Sequence, residues 1–495
     1  MYSRPSRDIL INHGGLSRNC LIENMNTTEI QNENNNEDLN FNLIKKSNYH
    51  DFNQFILSLK NNQNSLNIMS INIQGINTSF SELQVLVSQI NDQNLNLGII
   101  ALQECHLSEI DMSPFDLIGY KRISSDPVVS SFGGLTTYIR NDINYKIKKK
   151  YVGSKLWEGQ FFEIILEGNK KKILGNIYKK CSNYNVSEMN TLITEFEPIL
   201  QEFSNSNAEV TLCGDFNMNL LRLEQYVKYD EFFELFLSQG FFPNITLPTR
   251  VTNTTATLID QIYSKTYDTS QNSYSGILVS KISDHFPIFI FQKCQPNFKK
   301  QPERILIRKT GPRQIENFKT ELNNYDWSNL YLDQSSNNVE NSFDKFFDVI
   351  HNIHEKCMPT ISVKNKKHKY PRSDWITSGL IQSIKHRDKL YSRLKKMNLS
   401  NPLYNTRSNE LKIYNQNLRK CLNSAKKSFY CSEFNKYKCD MKKTWNVINS
   451  ILGRKKKKST FPNKMKTENG SVFIAKQNIA NEYNKIFTDN LILPK

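Results

Sequence analysis

The sequence has no pair of cysteines in a CxxC spacing, and its nine cysteines are an odd number. Both facts argue against a disulfide framework and suit a reducing compartment. It also lacks an apolar run of membrane length, and the opening Met1-Tyr2-Ser3-Arg4-Pro5-Ser6 has no signal-peptide core. The expectation is a soluble intracellular protein that does not engage a membrane. Residues 1–64 are poor in apolar side chains and centre on the tract Asn32-Glu33-Asn34-Asn35-Asn36. This composition predicts a disordered leader holding at most a short helix at Asp51–Leu59, because burial there cannot offset the entropy of ordering.

Positive charge is in excess. The chain of 495 residues has a formal charge of +17 and room for two or three domains. About forty of the 65 Lys and Arg fall after Lys299, against about seventeen acids there, so the front is mildly acidic and the tail strongly basic. No apolar face accompanies the charge runs, which points to nucleic acid before membrane as the polyanionic partner.

Order is expected from Leu66–Asn72, an alternating strand broken by Gln74-Gly75. Helical spacing follows over Ser79–Asn91, then an apolar strand, Leu97–Leu102, ending in Gln103-Glu104. Further strands are predicted at Gly133–Arg140, Phe161–Glu167, Lys172–Tyr178, Val210–Leu212, Leu258–Tyr263, Ile277–Ile282 and Pro287–Gln292, with helices at Glu188–Phe203 and Tyr229–Gln239. The mixture has no regular alternation of strand and helix, which suggests a two-sheet α/β sandwich over a doubly wound sheet. Beyond Lys300 the pattern is helical: Phe343–Cys357, Trp375–Met397, Tyr404–Tyr437 with a seam at Tyr404, Leu411, Tyr414, Leu418, Leu422 and Phe429, then Trp445–Leu452. An Asn469-Gly470 turn precedes a last helix from about Ala475 to Leu491. The run Lys455–Lys458 reads as a nuclear address, a nucleic-acid patch or a bare charge run.

The chain is organised around Leu212-Cys213-Gly214-Asp215-Phe216-Asn217-Met218, an apolar strand opening into a glycine-assisted turn. Asp215 and Asn217, two residues apart, fall on one side of an extended backbone. They pair an acid able to take a proton from water with a neutral donor for a phosphoryl oxygen, although Gly214–Asn217 alone also fits a plain turn. Polar residues close the other strands: Asn72, Glu104, Tyr178, Asp260, Asp284 and His285. Carboxylates, amides and one histidine without a cysteine partner favour a hard cation such as Mg²⁺ over zinc. His351, His354 and Cys357 share a helical face with Phe347 and Ile350 and are read as packing residues.

The motifs Ile71-Asn72, Leu102-Gln103-Glu104, Gly214-Asp215-Phe216-Asn217, Leu258-Ile259-Asp260 and Ser283-Asp284-His285 resemble those of the endonuclease/exonuclease/phosphatase superfamily. Asn176-Ile177-Tyr178 resembles its apurinic-endonuclease and retrotransposon branch, where other branches usually have His. Residues 70–75 and Pro248-Thr249-Arg250 look like the endonuclease of non-LTR (LINE-type, jockey/CR1-like) retrotransposons. Trp375, Lys442-Lys443-Thr444-Trp445 and the stretch Asn469-Gly470 to Phe487 are similar to the linker ahead of the reverse transcriptase in such polyproteins.

The resemblance implies a two-sheet, four-layer α/β sandwich at 65–295, following the leader at 1–64 and preceding a basic, mostly helical linker region at 296–495. It implies Mg²⁺, with Mn²⁺ as a substitute, DNA as substrate, element RNA as a partner of the basic tail, and nuclear localisation with a cytoplasmic phase. By the same resemblance Glu104 binds the metal with Asn72 close by, and Asp215 orients or deprotonates the attacking water. Asn217 then holds the scissile phosphate, and His285, steadied by Asp260, donates to the phosphoryl oxygen. Tyr178 contacts phosphate, and Asp284 supports the metal or the leaving group. Thr249 and Arg250 lie on a loop that touches the DNA backbone or is a structural turn. Lys179-Lys180-Cys181 replace prolines usual after the Tyr, and Gln261 stands where His often follows the Asp; neither position is expected to be chemical. The chain ends at Lys495 without the polymerase of such polyproteins, so reverse transcriptase would have to be supplied elsewhere. The expected activity is nicking of one DNA strand to leave a 3′-hydroxyl primer. The alternatives are a cellular abasic-site endonuclease or phosphatase of the same superfamily, or a silent element copy that only binds nucleic acid.

Overall fold

Alternating side chains sort the front of the chain into two sheets. The structure is a computed structural model and describes residues 47–108, 112, 114–127, 133–252, 255–265, 273–294, 296, 304–328, 339–364, 373–398, 400–452, 465–466, 472–473 and 478–483. In chain order the first elements are β1 (Asn48–His50), α1 (Phe52–Asn61), β2 (Leu66–Asn72), α2 (Ile76–Asp92), β3 (Ile99–Gln103), β4 (Tyr120–Ser124) and β5 (Thr136–Arg140). The second sheet begins with β6 (Tyr145–Gly153), β7 (Trp157–Ile165) and β8 (Lys171–Lys179). There follow α3 (Val186–Ser204), β9 (Glu209–Asp215), α4 (Val227–Ser238), β10 (Phe242–Pro243), the hairpin strands β11 (Arg250–Val251) and β12 (Ala256–Thr257), and β13 (Asp260–Lys265). β14 (Ser273–Leu278) and β15 (Ile288–Gln292) return to the first sheet. The strand orders are β1-β14-β15-β2-β3-β5-β4 and β10-β13-β9-β8-β7-β6, the expected two-sheet α/β sandwich.

In β2, Met69 and Ile71 pack with Leu83 and Leu86 of α2 and Phe55 of α1. Leu66 and Ile68, on the other face, join Phe161, Leu174 and Leu212 of the opposite sheet. Period-two alternation thus assigns each strand one face to a helix layer and one to the partner sheet. Toward the strand ends the layer between the sheets turns polar: Gln103 Nε2 donates to Asn176 Oδ1 at 2.6 Å and Thr211 Oγ1 to Gln292 Oε1 at 3.0 Å.

The leader expected over 1–64 differs in its last part. Residues 1–46, with the Asn-rich tract, lie outside the described residues, whereas β1 pairs in parallel with β14 and α1 opens with a capping box between Asp51 and Gln54. β4 and β6 were not anticipated either, and each lies at a sheet edge. Their lysines and arginine blunt exposed edges and leave no apolar run to detect. The strand expected at Ile277–Ile282 is shifted, ending at Leu278.

The tail contributes β16 (Arg304–Arg308), α5 (Pro312–Asn324), α6 (Val339–Cys357), β17 (Thr360–Lys364), α7 (Ser378–Lys396), α8 (Tyr404–Tyr437) and α9 (Met441–Ile451). β16 and β17 form an antiparallel pair in a region whose pattern had read as helix alone. The run Lys455–Lys458 and the Asn469-Gly470 turn lie outside the described residues, as does most of the helix expected at 475–491. The chain divides into two compact units at Phe429 and Tyr430. In the second, Asp440 caps α9 by accepting from the Lys443 backbone N–H at 3.0 Å. Among the described residues no helix is long and apolar enough to cross a membrane.

Within the first unit the tail helices pack on the sandwich. Val85 of α2 joins Trp375, Ile381, Ile384, Leu418 and Leu422 in one apolar cluster, with Tyr414 and Phe429 at its border, so the seam of α8 is used inside the chain. Between the same helices Arg387, wholly buried, donates to the buried carboxylate of Glu82 and through Nε to Asp388 at 3.0 Å. A lone buried charge is far costlier than a pair. Arg387→Ala should therefore lower stability by about 3–5 kcal/mol, read as a lower urea midpoint. Replacing all three charged groups by Glu82→Leu, Arg387→Met and Asp388→Asn should recover most of that loss.

Candidate active site

The site forms at one mouth between the sheets, where β2, β3, β8 and β9 end and β13 begins. β8 and β9 run parallel with Tyr178 beside Asp215, and β13 runs antiparallel with Asp260 beside Asp215. Gly214 permits this pairing: a Cβ there would stand 1.7 Å from the carbonyl oxygen of Ile177. Across the layer, Asn72 Nδ2 donates to Asp215 Oδ2 at 2.7 Å.

β9 ends at Asp215, and Asn217 has φ +48°. The two side chains therefore share a side through a turn and not through the extended strand read from their spacing. In that turn the Asn217 N–H donates to Asp215 Oδ1 at 2.9 Å, while Asn217 Nδ2 donates to the Lys179 carbonyl at 2.7 Å. Among the described residues six non-glycines have positive φ, and four of them, Gln74, Glu104, His106 and Asn217, surround this mouth. Such backbone costs about 1–3 kcal/mol per residue and concentrates where geometry is imposed by function.

His285 Nδ1 lies 2.9 and 3.0 Å from the two oxygens of Asp260 and 4.0 Å from Asp215 Oδ2. Nδ1 therefore carries a proton, and Nε2 is turned toward Asp284 Oδ1 at 3.9 Å. Burial alone would depress the imidazole, but the charges of Asp260, Asp215 and Asp284 and the bond to Asp260 outweigh it and raise its pKa to about 9. Burial, then repulsion from Asp260, pushes the Asp215 carboxyl up to about 7, against the pull of His285 and Asn72. Tyr178 is raised by burial and by the negative charges of Glu104 and Asp215, so it remains a phenol and a donor. For Glu104, burial works upward, yet hydrogen bonds from His106, Asn72 and Tyr178 bring the net shift below the usual carboxylate value.

Of the two readings of Thr249, a contact to the DNA backbone or a structural turn, the geometry fits the second. The Thr249 side chain is fully buried and its hydroxyl donates to Asp260 Oδ2 at 2.5 Å, which makes it a positioning residue for the Asp260–His285 pair. Arg250 is half-buried, its Nε donating to Asp284 Oδ2 at 2.8 Å. Ser283 stands in a quoted motif without a role of its own, and His106 is not marked by the sequence. Ser283 Oγ donates to the Asn72 carbonyl at 2.7 Å and accepts from the His285 N–H at 3.0 Å, tying two strand ends together. His106 Nε2 is 3.5 Å from Glu104 Oε2. A serine two residues before the histidine carried a weak signal for the first; nothing marked the second.

Two donor sets could hold a cation. Among the described residues, Asp215, Asp260 and His285 alone form a group of three metal-capable side chains with ligand atoms all within 4.8 Å. Their facing atoms are already bonded to one another, to Asn72 and to Thr249. The second is Glu104, hydrogen-bonded by Asn72; Asp284, whose Oδ1 faces His285 and is buried without a hydrogen-bond partner, is a further carboxylate at the mouth. Glu104 is held ionised at the rim, and the donors are oxygens, which fits a hard divalent ion.

The sequence model of the Endonuclease/Exonuclease/phosphatase family matches residues 69–285. No curated protein matches the chain. Similar solved structures include the catalytic domain of Xenopus laevis APE2, 18% identical over 48% of this chain and 94% of that one, with a TM-score of 0.36. Others are the endonuclease domain of TRAS1, a telomere-specific non-LTR retrotransposon (12%; 47% and 99%; 0.36), and the AP endonuclease LMAP of Leishmania major (12%; 46% and 87%; 0.35). Residues 69–285, a little under half of the chain, thus match the Endonuclease/Exonuclease/phosphatase family, whose members are generally metal-dependent nucleases or phosphatases.

Proposed function

We propose that this chain is a divalent-metal-dependent phosphodiesterase that nicks one strand of DNA and leaves a 3′-hydroxyl, in the manner of a non-LTR retrotransposon endonuclease. The observation that carries the reading is the meeting of Asp215 with the Asp260–His285 pair at one buried mouth. Asp215, with a pKa near neutrality, is suited to take the proton of the attacking water. Asn72 and the Asn217 N–H each hold one of its oxygens, so its orientation is fixed before substrate arrives. His285, doubly protonated, presents Nε2–H to the phosphoryl oxygen as negative charge builds. Asp260 and Thr249 keep the ring in place. The second N–H of the Asn217 carboxamide, the Tyr178 phenol and the Arg250 guanidinium supply further donors for phosphate. When bound by Glu104, with Asn72 and Asp284 close by, a divalent ion supplies charge neutralisation and leaving-group stabilisation. The charge excess of the tail supports DNA over lipid or free nucleotide.

With Mg²⁺ or Mn²⁺ the chain should convert supercoiled plasmid to the open circle. EDTA should abolish this, and Asp215→Ala or His285→Ala should lower the rate at least about 10²-fold. Lack of relaxation with either ion, or retained nicking in both variants, would sink the proposal; strong preference for an abasic duplex would turn it toward repair. Thr249→Val, which keeps shape and deletes the hydroxyl that donates to Asp260 and accepts from the Ile259 and Asp260 N–H groups, should slow nicking roughly tenfold and lower stability by about 1–3 kcal/mol, read as a lower urea midpoint.

A further inference from the structure

We propose that the cleft between the tail helices and the β11–β12 hairpin is a second nucleic-acid site, which seats the sugar–phosphate backbone of the DNA duplex flanking the cut. The proposal rests on the endonuclease reading and assigns a part of the surface that the catalytic residues do not use.

The cleft has a volume of about 680 Å³ and takes one wall from Val251, Thr252, Lys281 and Asp284 and the other from α7 and α8. It is a built feature. Lys395 of α7 reaches across to donate to the Val251 carbonyl at 2.9 Å, which props the hairpin bearing Arg250. Tyr391 meets Phe286, the residue after His285, edge-on with ring centroids 6.2 Å apart. The wall is therefore continuous with the catalytic loop, and Asp284 lines both the site and the cleft.

Its charge is one-sided. Lys281, Lys395, Lys412 and Arg419 line it, and the one lining acid is Asp284, already bonded to Arg250. Lys281 also lies over the Tyr391 ring at 5.4 Å, where burial, together with Arg387 and Arg419, holds its ammonium below its usual pKa. On α8 the lining residues Ser408, Lys412, Asn415 and Arg419 recur at helical steps of four, three and four and share one face, with Gln416 beside Asn415. That face offers hydroxyl, amide and cationic donors and no carboxylate, the set that contacts phosphate and sugar without reading bases. From Ser408 to Arg419 it runs about 16 Å, the axial length of roughly five phosphates of one strand. A stripe of that length suits a backbone, not a single anion, and its continuity with Arg250 assigns it to the strand being cut.

The test is fluorescence anisotropy of labelled duplex DNA against salt, for the full chain and for Lys412→Ala/Arg419→Ala, two exposed positions; Arg419 Nε also stands 3.9 Å from the buried Glu82 Oε1, so the urea midpoint should fall slightly, and circular dichroism checks that the variant is folded under the binding conditions. The variant should bind about tenfold more weakly, and its slope of log affinity on log salt should be shallower by about 1.8, or 0.9 per lost phosphate contact. Lys170→Ala/Lys171→Ala, at the far end of β8 from Tyr178, removes the same charge and should bind like the parent chain. In nicking assays the cleft variant should raise KM on long duplexes and lose that defect on duplexes trimmed close to the cut. Equal salt slopes in parent and variant would overturn the cleft while leaving the nicking result standing. A chain that fails to nick but shows the shallower slope would retain the cleft and lose the endonuclease. An effect confined to an RNA duplex of the same sequence would overturn the assignment to DNA.

Discussion

Two carboxylates and an imidazole are buried together at the end of the sandwich, and that arrangement constrains much of what surrounds them. Asp215 and Asp260 are both removed from water, an expensive state unless each oxygen finds a donor. His285 supplies the positive charge between them, Asn72 and the Asn217 N–H satisfy one acid, and Thr249 satisfies the other. Each donor has in turn to be brought in by a particular strand end. The close approach of β8 to β9 at Gly214, the positive φ at Asn217 and the Ser283 bridge to Asn72 all follow from that demand. The same pairing that makes the cluster tolerable gives it chemical asymmetry: Asp215 is held near neutrality while His285 is held charged.

Much of this was legible in the sequence because central strands advertise themselves. β2, β3 and β9 are apolar, terminate in polar residues and sit inside their sheets, so a reading of runs and their endings found them and the acids and amides that close them. What escaped has a common cause. β1, β4 and β6 are edges, and edges are written in lysine, arginine and asparagine. The role of Thr249 lies in a contact eleven residues along, across a hairpin, and no local pattern distinguishes it from a loop residue meeting solvent. The fixed turn at Asn217 was read as extended backbone because the spacing of two is common to both. In the tail, helical periodicity was correct for α6, α7 and α8, yet periodicity names a face without naming what covers it. The pairing of Arg387 with Glu82 is a matter of tertiary structure alone, and β16 and β17 are joined across a separation that hides their partnership.

The separation of Glu82 and Arg387 by 305 residues has a consequence for how the molecule comes into being. Helix α2 leaves the ribosome long before the residues that cover its Glu82 and Val85 face are made. At cellular synthesis rates of about 5–20 residues per second, that face waits roughly 15–60 s for α7. During this interval the nascent sandwich presents water with an unpaired carboxylate where the mature protein has a sealed surface. The charge that later needs burial is thus the one that keeps the unfinished face soluble, and arrival of the tail helices converts a hydrated patch into the seam between domain and tail.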